Sequence, residues 1–281
     1  MTSGTTAAAP AKKPRPTLDL VVARSEWLTP HLVRIVAGGP GFDAFADNGF
    51  TDKYVKISFP TELPGSVWPE GAIDIPSFKE SLPREQWPVT RTYTVRSFDA
   101  EARELAIDFV VHGDEGIAGP WAAAAKPGDR LVAAGPGGAY SPDPNAEWHL
   151  FAADESALPA VAAALEALPA GAKGLAFLEI PSGADTLELA APEGVDIRWL
   201  SREGEPAGET LVLAEAIAGA EWLPGTPNVF AHGERGAMKE LRAIFKERGL
   251  AREQLSLSGY WAHGRVEDQF QAEKQLPVGQ I

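Results

Sequence analysis

Two different rhythms of apolar and polar positions run along this chain. Over residues 17–138, short alternating or apolar runs recur at 18–23, 32–37, 54–59, 89–95, 104–111 and 130–134. Gly-, Pro- and Asp-rich turns separate them, which is the punctuation of β-strands. Six strands without a long helix between them predict a closed or nearly closed antiparallel barrel. Residues 61–88 interrupt the series with Pro64, Pro69, Pro76, Pro83 and Pro88. A loop of that length is uncommon unless it is functional or mobile.

After GPGGAYSPDPN (135–145) the rhythm changes. An apolar run at 148–153 is followed by ALPAVAAALEAL (157–168), a strong helix former. Residues 175–180 and 197–200 read as strands, 211–217 as a helix, and 228–232 as a strand. In ERGAMKELRAIFKER (234–248), Met238, Leu241 and Phe245 fall on one helical face, and Gly249 stops the helix. A last strand covers 255–260. Alternation of this kind predicts a parallel sheet flanked by helices. The expected organisation is a flexible tail over 1–16, a barrel domain over 17–141, an α/β domain over 142–268, and a polar C-terminal tail over 269–281. A barrel followed by a doubly wound domain is one common way to hold a flavin on the barrel and a nicotinamide nucleotide on the sheet.

Composition narrows the chemistry. The 281 residues carry 25 basic and 39 acidic side chains, a formal charge of −14. Such a balance speaks against a nucleic-acid partner and against attraction to anionic membranes. With no cysteine, disulfides, thiolate metal sites and a cysteine nucleophile are excluded. No apolar run approaches the roughly 20 residues of a membrane span, so no membrane insertion is expected. The first sixteen residues lack the apolar core of a signal peptide, and the expected location is cytoplasmic. A monomer is expected.

Several catalytic patterns are missing. There is no Gly-x-x-x-x-Gly-Lys-Ser/Thr loop and no Gly-x-Ser-x-Gly elbow. The five histidines, His31, His112, His149, His232 and His263, never fall at metal-ligand spacing. Gly135-Pro136-Gly137-Gly138 is followed by SPDPN instead of a helix, so it reads as an interdomain turn.

What remains is RTYTVR (91–96), where alternation puts Arg91, Tyr93 and Val95 on one face and Thr92, Thr94 and Arg96 on the other. An edge strand with a solvated charged side is one reading. The other is a flavin cradle, which needs a stacking ring, a cation for the pyrophosphate and a hydroxyl near the redox-active nitrogen. In the next strand, Ala106, Asp108, Val110 and His112 face away from Leu105, Ile107, Phe109 and Val111. They are expected to offer a polar surface for the ribityl and adenosine parts. The glycines that follow (Gly113, Gly116, Gly119) and a short helical run from Ala118 allow close approach of backbone N–H groups to phosphate. A plain strand-to-helix connection, with Trp121 as a core anchor, is the alternative.

RTYTVR, DFVVHGDEGIAGPWA (108–122), KPGDRL (126–131) with GPGG, DESALPA (154–160), AHGER (231–235) and GYWAHGRVED (259–268) occur in this order over about residues 17–268. Together they resemble the siderophore-interacting proteins, a family of FAD-containing ferric-siderophore reductases. The resemblance implies a ferredoxin-reductase-like pair of domains, with FAD on the barrel and NAD(P)H on the α/β domain. Arg91, Tyr93 and Thr94 match the family's flavin motif, His112, Gly113 and Gly116 its phosphate loop, and Trp121 its later tryptophan. Residues 117–119 are Ile, Ala and Gly where many members have Pro, Ala and Ser/Thr, so backbone N–H groups would serve in place of a hydroxyl. The resemblance sets Tyr260 and Trp261 by the flavin, with a core role as the alternative.

The nicotinamide side carries a different signature. Asp154-Glu155-Ser156 opens a helix with two carboxylates, which suit the helix dipole but repel a pyrophosphate. Ser201 and Arg202 after the strand at 197–200 are candidates for a 2′-phosphate, which would favour NADPH over NADH; a solvated loop arginine is the alternative. Some family members draw electrons from ferredoxin instead. Lys56 and Arg265 match the family's basic residues and are candidates for binding an anionic ferric siderophore, as are Lys239 and Arg242. A general flavin-dependent NAD(P)H oxidoreductase and a non-catalytic siderophore-binding module are the competing readings.

Overall fold

The computed structural model describes residues 15–61, 68–114 and 116–281. The expected N-terminal tail thus lies, apart from Arg15 and Pro16, outside the described residues, as do positions 62–67 of the long insertion.

The described N-terminal residues form a closed antiparallel barrel from β1 (Thr17–Thr29), β2 (Leu32–Gly38), β3 (Tyr54–Phe59), β4 (Val89–Asp99), β5 (Glu104–Val110) and β6 (Arg130–Gly137), in the order β1-β2-β5-β4-β3-β6. Alternate residues fill its interior: Leu18, Leu20 and Val22 from β1, Val33 and Ile35 from β2, Val55 and Ile57 from β3, and Leu105, Ile107 and Phe109 from β5. β1 runs six residues beyond the predicted strand. Residues 24–27 (RSEW) show no apolar alternation, and only their pairing with β2, Arg24 opposite Val36 through Trp27 opposite Val33, makes them strand. This arm carries Leu28 and Leu32 into the core of the second domain.

The insertion is not structureless. It holds helix α1 (Ile75–Glu80), whose first turn is capped by the Asp74 carboxylate accepting the Ser77 N–H at 3.0 Å. Ile73 and Ile75, with Trp68 and Phe78, cover Val132 and Ala134 on the outside of β6. Arg130, paired with Asp19, donates to the carbonyls of Pro69 and Gly71 and fastens the segment to the barrel.

The C-terminal domain is a parallel five-stranded sheet of order β11-β10-β7-β8-β9, built from β7 (Trp148–Ala153), β8 (Gly174–Ile180), β9 (Val195–Ser201), β10 (Pro227–Glu234) and β11 (Leu255–Trp261). Helix α3 (Leu158–Glu166) covers one face; α4 (Val212–Gly219) and α5 (Arg235–Glu247) cover the other. Burial on both faces explains why β7 reads as a continuous apolar run. Met238, Leu241 and Phe245 of α5 are fully buried, and Gly249 ends the helix with φ 77°. Strand order reverses at β7, so the ligand crevice of such a sheet lies beyond the C-terminal ends of β7 and β10.

The segment expected as a C-terminal tail folds back. Helix α6 (Glu267–Glu273) buries Phe270 to 1% exposure between the Arg235 guanidinium and the Lys274 ammonium. Among the described residues, no helix is long and apolar enough to cross a membrane.

Candidate functional site

β4 brings the central candidates together at the barrel wall that faces the α/β domain. The Tyr93 ring lies on Phe109 of β5, with centroids 4.3 Å apart, and Phe109 in turn contacts Trp121 of helix α2 (Ala118–Ala124) at 5.7 Å. The Tyr93 hydroxyl makes no hydrogen bond among the described residues, and burial pushes its pKa up, so it stays protonated. Arg91 is half-buried. It donates to the carbonyl of Thr90 at 2.9 Å and stands 4.0 Å from an exposed Asp268, too far for a strong pair. Thr94 is buried, and Tyr260, at the end of β11, comes near it across the interface; burial pushes the Tyr260 hydroxyl pKa up. Next to it, the Trp261 indole N–H donates to Asp154 Oδ2 at 2.7 Å.

The loop after β5 presents backbone. His112, Gly113 and Gly116 are exposed; Gly113 has φ 62° and Gly116 φ 79°, with open space where a Cβ would project. The left-handed conformation, not crowding, is what requires glycine here. Helix α2 begins without a side-chain cap, so its first N–H groups have no partner from the chain's own caps. The missing Cβ of Gly119 would sit 3.1 Å from the Val110 carbonyl, so glycine lets α2 dock tightly on the end of β5. Ala118 and Trp121 pack toward the barrel core, Trp121 also against Phe59. A ring with a free hydroxyl, a loosely held guanidinium, and a left-handed glycine loop opening an uncapped helix are the donor set that a flavin dinucleotide requires. They fit FAD.

Two expectations about neighbouring residues are corrected. The outer face of β5 is not an open polar surface. Arg34 of β2 grips Asp108 through two bonds of 2.6 and 2.8 Å, and Val110 packs into the core of the α/β domain. The hairpin arm and α3 cover this face, which sequence alternation alone cannot reveal. Arg202 is also committed: at 6% exposure, it binds both Glu155 oxygens at 2.7 Å and Glu179 at 3.2 Å. A guanidinium enclosed by two carboxylates is not free for a 2′-phosphate. Ser201, half-buried beside it, accepts the N–H of Glu203 at 3.1 Å.

The turn after β7 is an acidic centre. Buried Asp154 accepts the Ser156 N–H and hydroxyl and the Glu234 N–H as well as the Trp261 indole. Burial and the Glu155 charge nevertheless hold its pKa up. Glu179 is pushed up to about 7, by burial first and then by the Asp154 charge, against the pull of Arg202. His232 stacks on Phe230 with centroids 3.8 Å apart and is driven down to about 3 by burial, then by the Lys274 charge, so it is neutral.

Of the cations expected to meet substrate, three are engaged by the C-terminal segment. Arg265 donates to Glu273 at 2.8 Å, Lys239 to the Val278 carbonyl at 2.7 Å, and Arg242 to the Ile281 carbonyl oxygen. Lys56 is exposed on β3, opposite Thr92 of β4, and makes no ion pair among the described residues. Two further lysines were not identified from sequence. Burial lowers the pKa of Lys79 of α1 and of Lys274 beyond α6, with the Lys56 charge a smaller cause and the Glu267 charge opposing it at Lys274; neither makes an ion pair among the described residues. Their signal was hidden because one sits in the proline-rich insertion and the other in the apparent tail.

Comparison with known proteins adds an independent line. The profile of the siderophore-interacting FAD-binding domain matches residues 21–140, and that of the siderophore-interacting protein matches residues 146–264. An uncharacterized protein of Mycobacterium tuberculosis is 45% identical over 277 residues, covering 93% of this chain and 95% of its own length. The ferric vibriobactin reductase ViuB of Vibrio cholerae is 34% identical over 267 residues, 92% of this chain and 93% of its own. Among solved structures, a siderophore utilization protein from T. fusca superposes with a TM-score of 0.76 at 38% identity, covering 90% of this chain and 96% of that one.

Proposed function

The chain belongs to the siderophore-interacting protein family, and on that premise we propose that it is an FAD-dependent reductase of ferric siderophores, drawing on NAD(P)H or a ferredoxin. The observation that carries this reading is the contact chain Tyr93–Phe109–Trp121 beside the left-handed Gly113–Gly116 loop, with unpaired Lys56 on the adjacent strand. When bound, FAD supplies the conversion between two-electron and one-electron transfer.

The chain's own residues supply placement and charge. Tyr93 offers a face for stacking and a free hydroxyl; Arg91 and the N–H groups at residues 116–118 meet the pyrophosphate. Thr94 and Tyr260, at the domain interface, would help to keep water from the bound flavin. Lys56, Lys79 and Lys274 draw an anionic chelate to the mouth of the cleft within an otherwise acidic protein. Ferric iron there gains one electron and becomes ferrous. Hard oxygen ligands hold ferrous iron more weakly, so release follows without a general acid or base. The flavin half covers residues 17–141 and the donor half 142–268; Arg202 stabilises the donor half and does not contact donor phosphate. On this reading the enzyme works in the cytoplasm as a monomer.

Anaerobic stopped-flow absorbance tests the reading. The purified protein should be yellow, bleach with NADPH, NADH or reduced ferredoxin, and regain its colour on addition of a ferric siderophore. A protein that binds no FAD refutes the proposal. One that bleaches but is not reoxidised by ferric chelates is a flavin reductase of another kind.

A further inference from the structure

His31 stands at the turn between β1 and β2, at the tip of the barrel arm, and bonds to both domains. Its Nδ1 lies 2.9 Å from Asp185 Oδ1, across the domain boundary, in the 3-10 turn Gly183–Asp185 that follows β8. Asp185 is 3% exposed and also accepts the Ser182 hydroxyl at 2.9 Å. On its other side, the His31 carbonyl accepts the Val111 N–H at 2.9 Å. Val111 is the residue directly before His112 and Gly113, where the phosphate loop begins. The turn is stiffened by the His31 N–H donating to Thr29 Oγ1 at 3.2 Å, and Leu32 anchors it in the core of the α/β domain. One residue therefore bonds the second domain through its side chain and the flavin loop through its backbone.

We propose that His31 is a positioning residue that couples seating of the α/β domain to the conformation of the flavin phosphate loop. The proposal rests on the flavin reading above. The charged groups lining the crevice around the imidazole are Asp185, from the turn after β8, and Glu155, from the turn after β7; Glu155 is already held by Arg202. Although burial opposes it, hydrogen bonds from His31 and Ser182 keep the Asp185 pKa below its ordinary value, so its carboxylate is charged throughout the working range. A hydrogen bond to a charged carboxylate is stronger than one between neutral groups, so loss of this bridge is large enough to measure. Arg96–Glu166 and Tyr140–Asn228 also cross the boundary, so loss of the His31 bridge leaves the domains joined.

The test is the FAD dissociation constant of apoprotein, by fluorescence titration, for wild type, His31→Ala and His31→Asn, with the melting temperature of each apoprotein beside it. The expected loss for His31→Ala is about tenfold, in line with a hydrogen bond to a carboxylate. Asn, whose side-chain amide can donate to Asp185, should restore affinity. Unchanged affinity in a folded His31→Ala protein, or a loss that Asn does not restore, overturns the proposal. Wild-type protein that binds no FAD refutes the flavin reading itself.

Discussion

Replacing Tyr93 by Ala probes the site at the point on which most of the reading depends. The ring has two faces with separate energetics. One lies on Phe109 at 4.3 Å, and loss of such an aromatic pair costs about 0.5–1.5 kcal/mol beyond the buried area. That cost falls on folding and is visible as a lower melting temperature of the apoprotein. The other face is the one proposed to meet the flavin, and stacking of a planar base on an aromatic side chain contributes about 1–3 kcal/mol by alanine substitution. A middle value of about 2 kcal/mol corresponds to a roughly 30-fold weaker FAD dissociation constant. Tyr93→Phe separates ring from hydroxyl. Since that hydroxyl has no partner among the described residues, apoprotein stability should stay within about 0.5 kcal/mol of wild type. FAD affinity should fall by no more than about fivefold, the value of one neutral hydrogen bond. Titration of each apoprotein with FAD, followed by flavin fluorescence, measures both. A folded Tyr93→Ala protein that binds FAD within about threefold of wild type would show that the ring does not stack on the cofactor.

Lys56→Ala should raise KM for an anionic ferric chelate about fivefold at low salt with kcat unchanged; the difference should shrink in about 0.5 M salt as screening sets in. Steady-state rates at two ionic strengths decide this, and an unchanged KM removes Lys56 from the substrate path. Glu179 keeps its proton to about pH 7 when folded but loses it near 4.5 when unfolded. The unfolded chain therefore releases this proton first as pH rises, and wild-type stability declines between about pH 4.5 and 7, by an amount on the order of 3 kcal/mol. Glu179→Gln should flatten that decline in melting temperature; parallel curves for variant and wild type would contradict the assignment. Phe270→Ala removes the fully buried anchor of α6, a change worth about 3 kcal/mol at a core site. Hydrogen exchange should speed by about 100-fold over residues 267–281 while the sheet strands stay protected; equal protection in the variant would mean that the segment is held by its ion pairs alone.

The sequence by itself determined the architecture. Inward positions at every second residue, as in Leu18, Leu20 and Val22, specify barrel strands, because a strand buried on one face must alternate. The doubly buried run at 148–153 and the Met238–Leu241–Phe245 stripe specify a parallel sheet and its helix, because each element must hide its apolar surface. The candidate flavin residues Arg91, Tyr93 and Thr94 and the glycine loop could be picked out along the chain because the features that mark them are local, set by strand alternation and by backbone freedom at single residues. What only the tertiary structure decided is which polar groups remain free. Asp108 and Arg202 look like ligand-binding residues along the chain, yet Arg34 in one case and Glu155 with Glu179 in the other consume them from 74, 47 and 23 positions away. Lys79 and Lys274, placed in segments without periodicity, come within range of the Lys56 charge only through folding. A charge takes its function from its nearest opposite charge, and in a two-domain fold that neighbour is set by packing across the interface, to which residue order along the chain is blind.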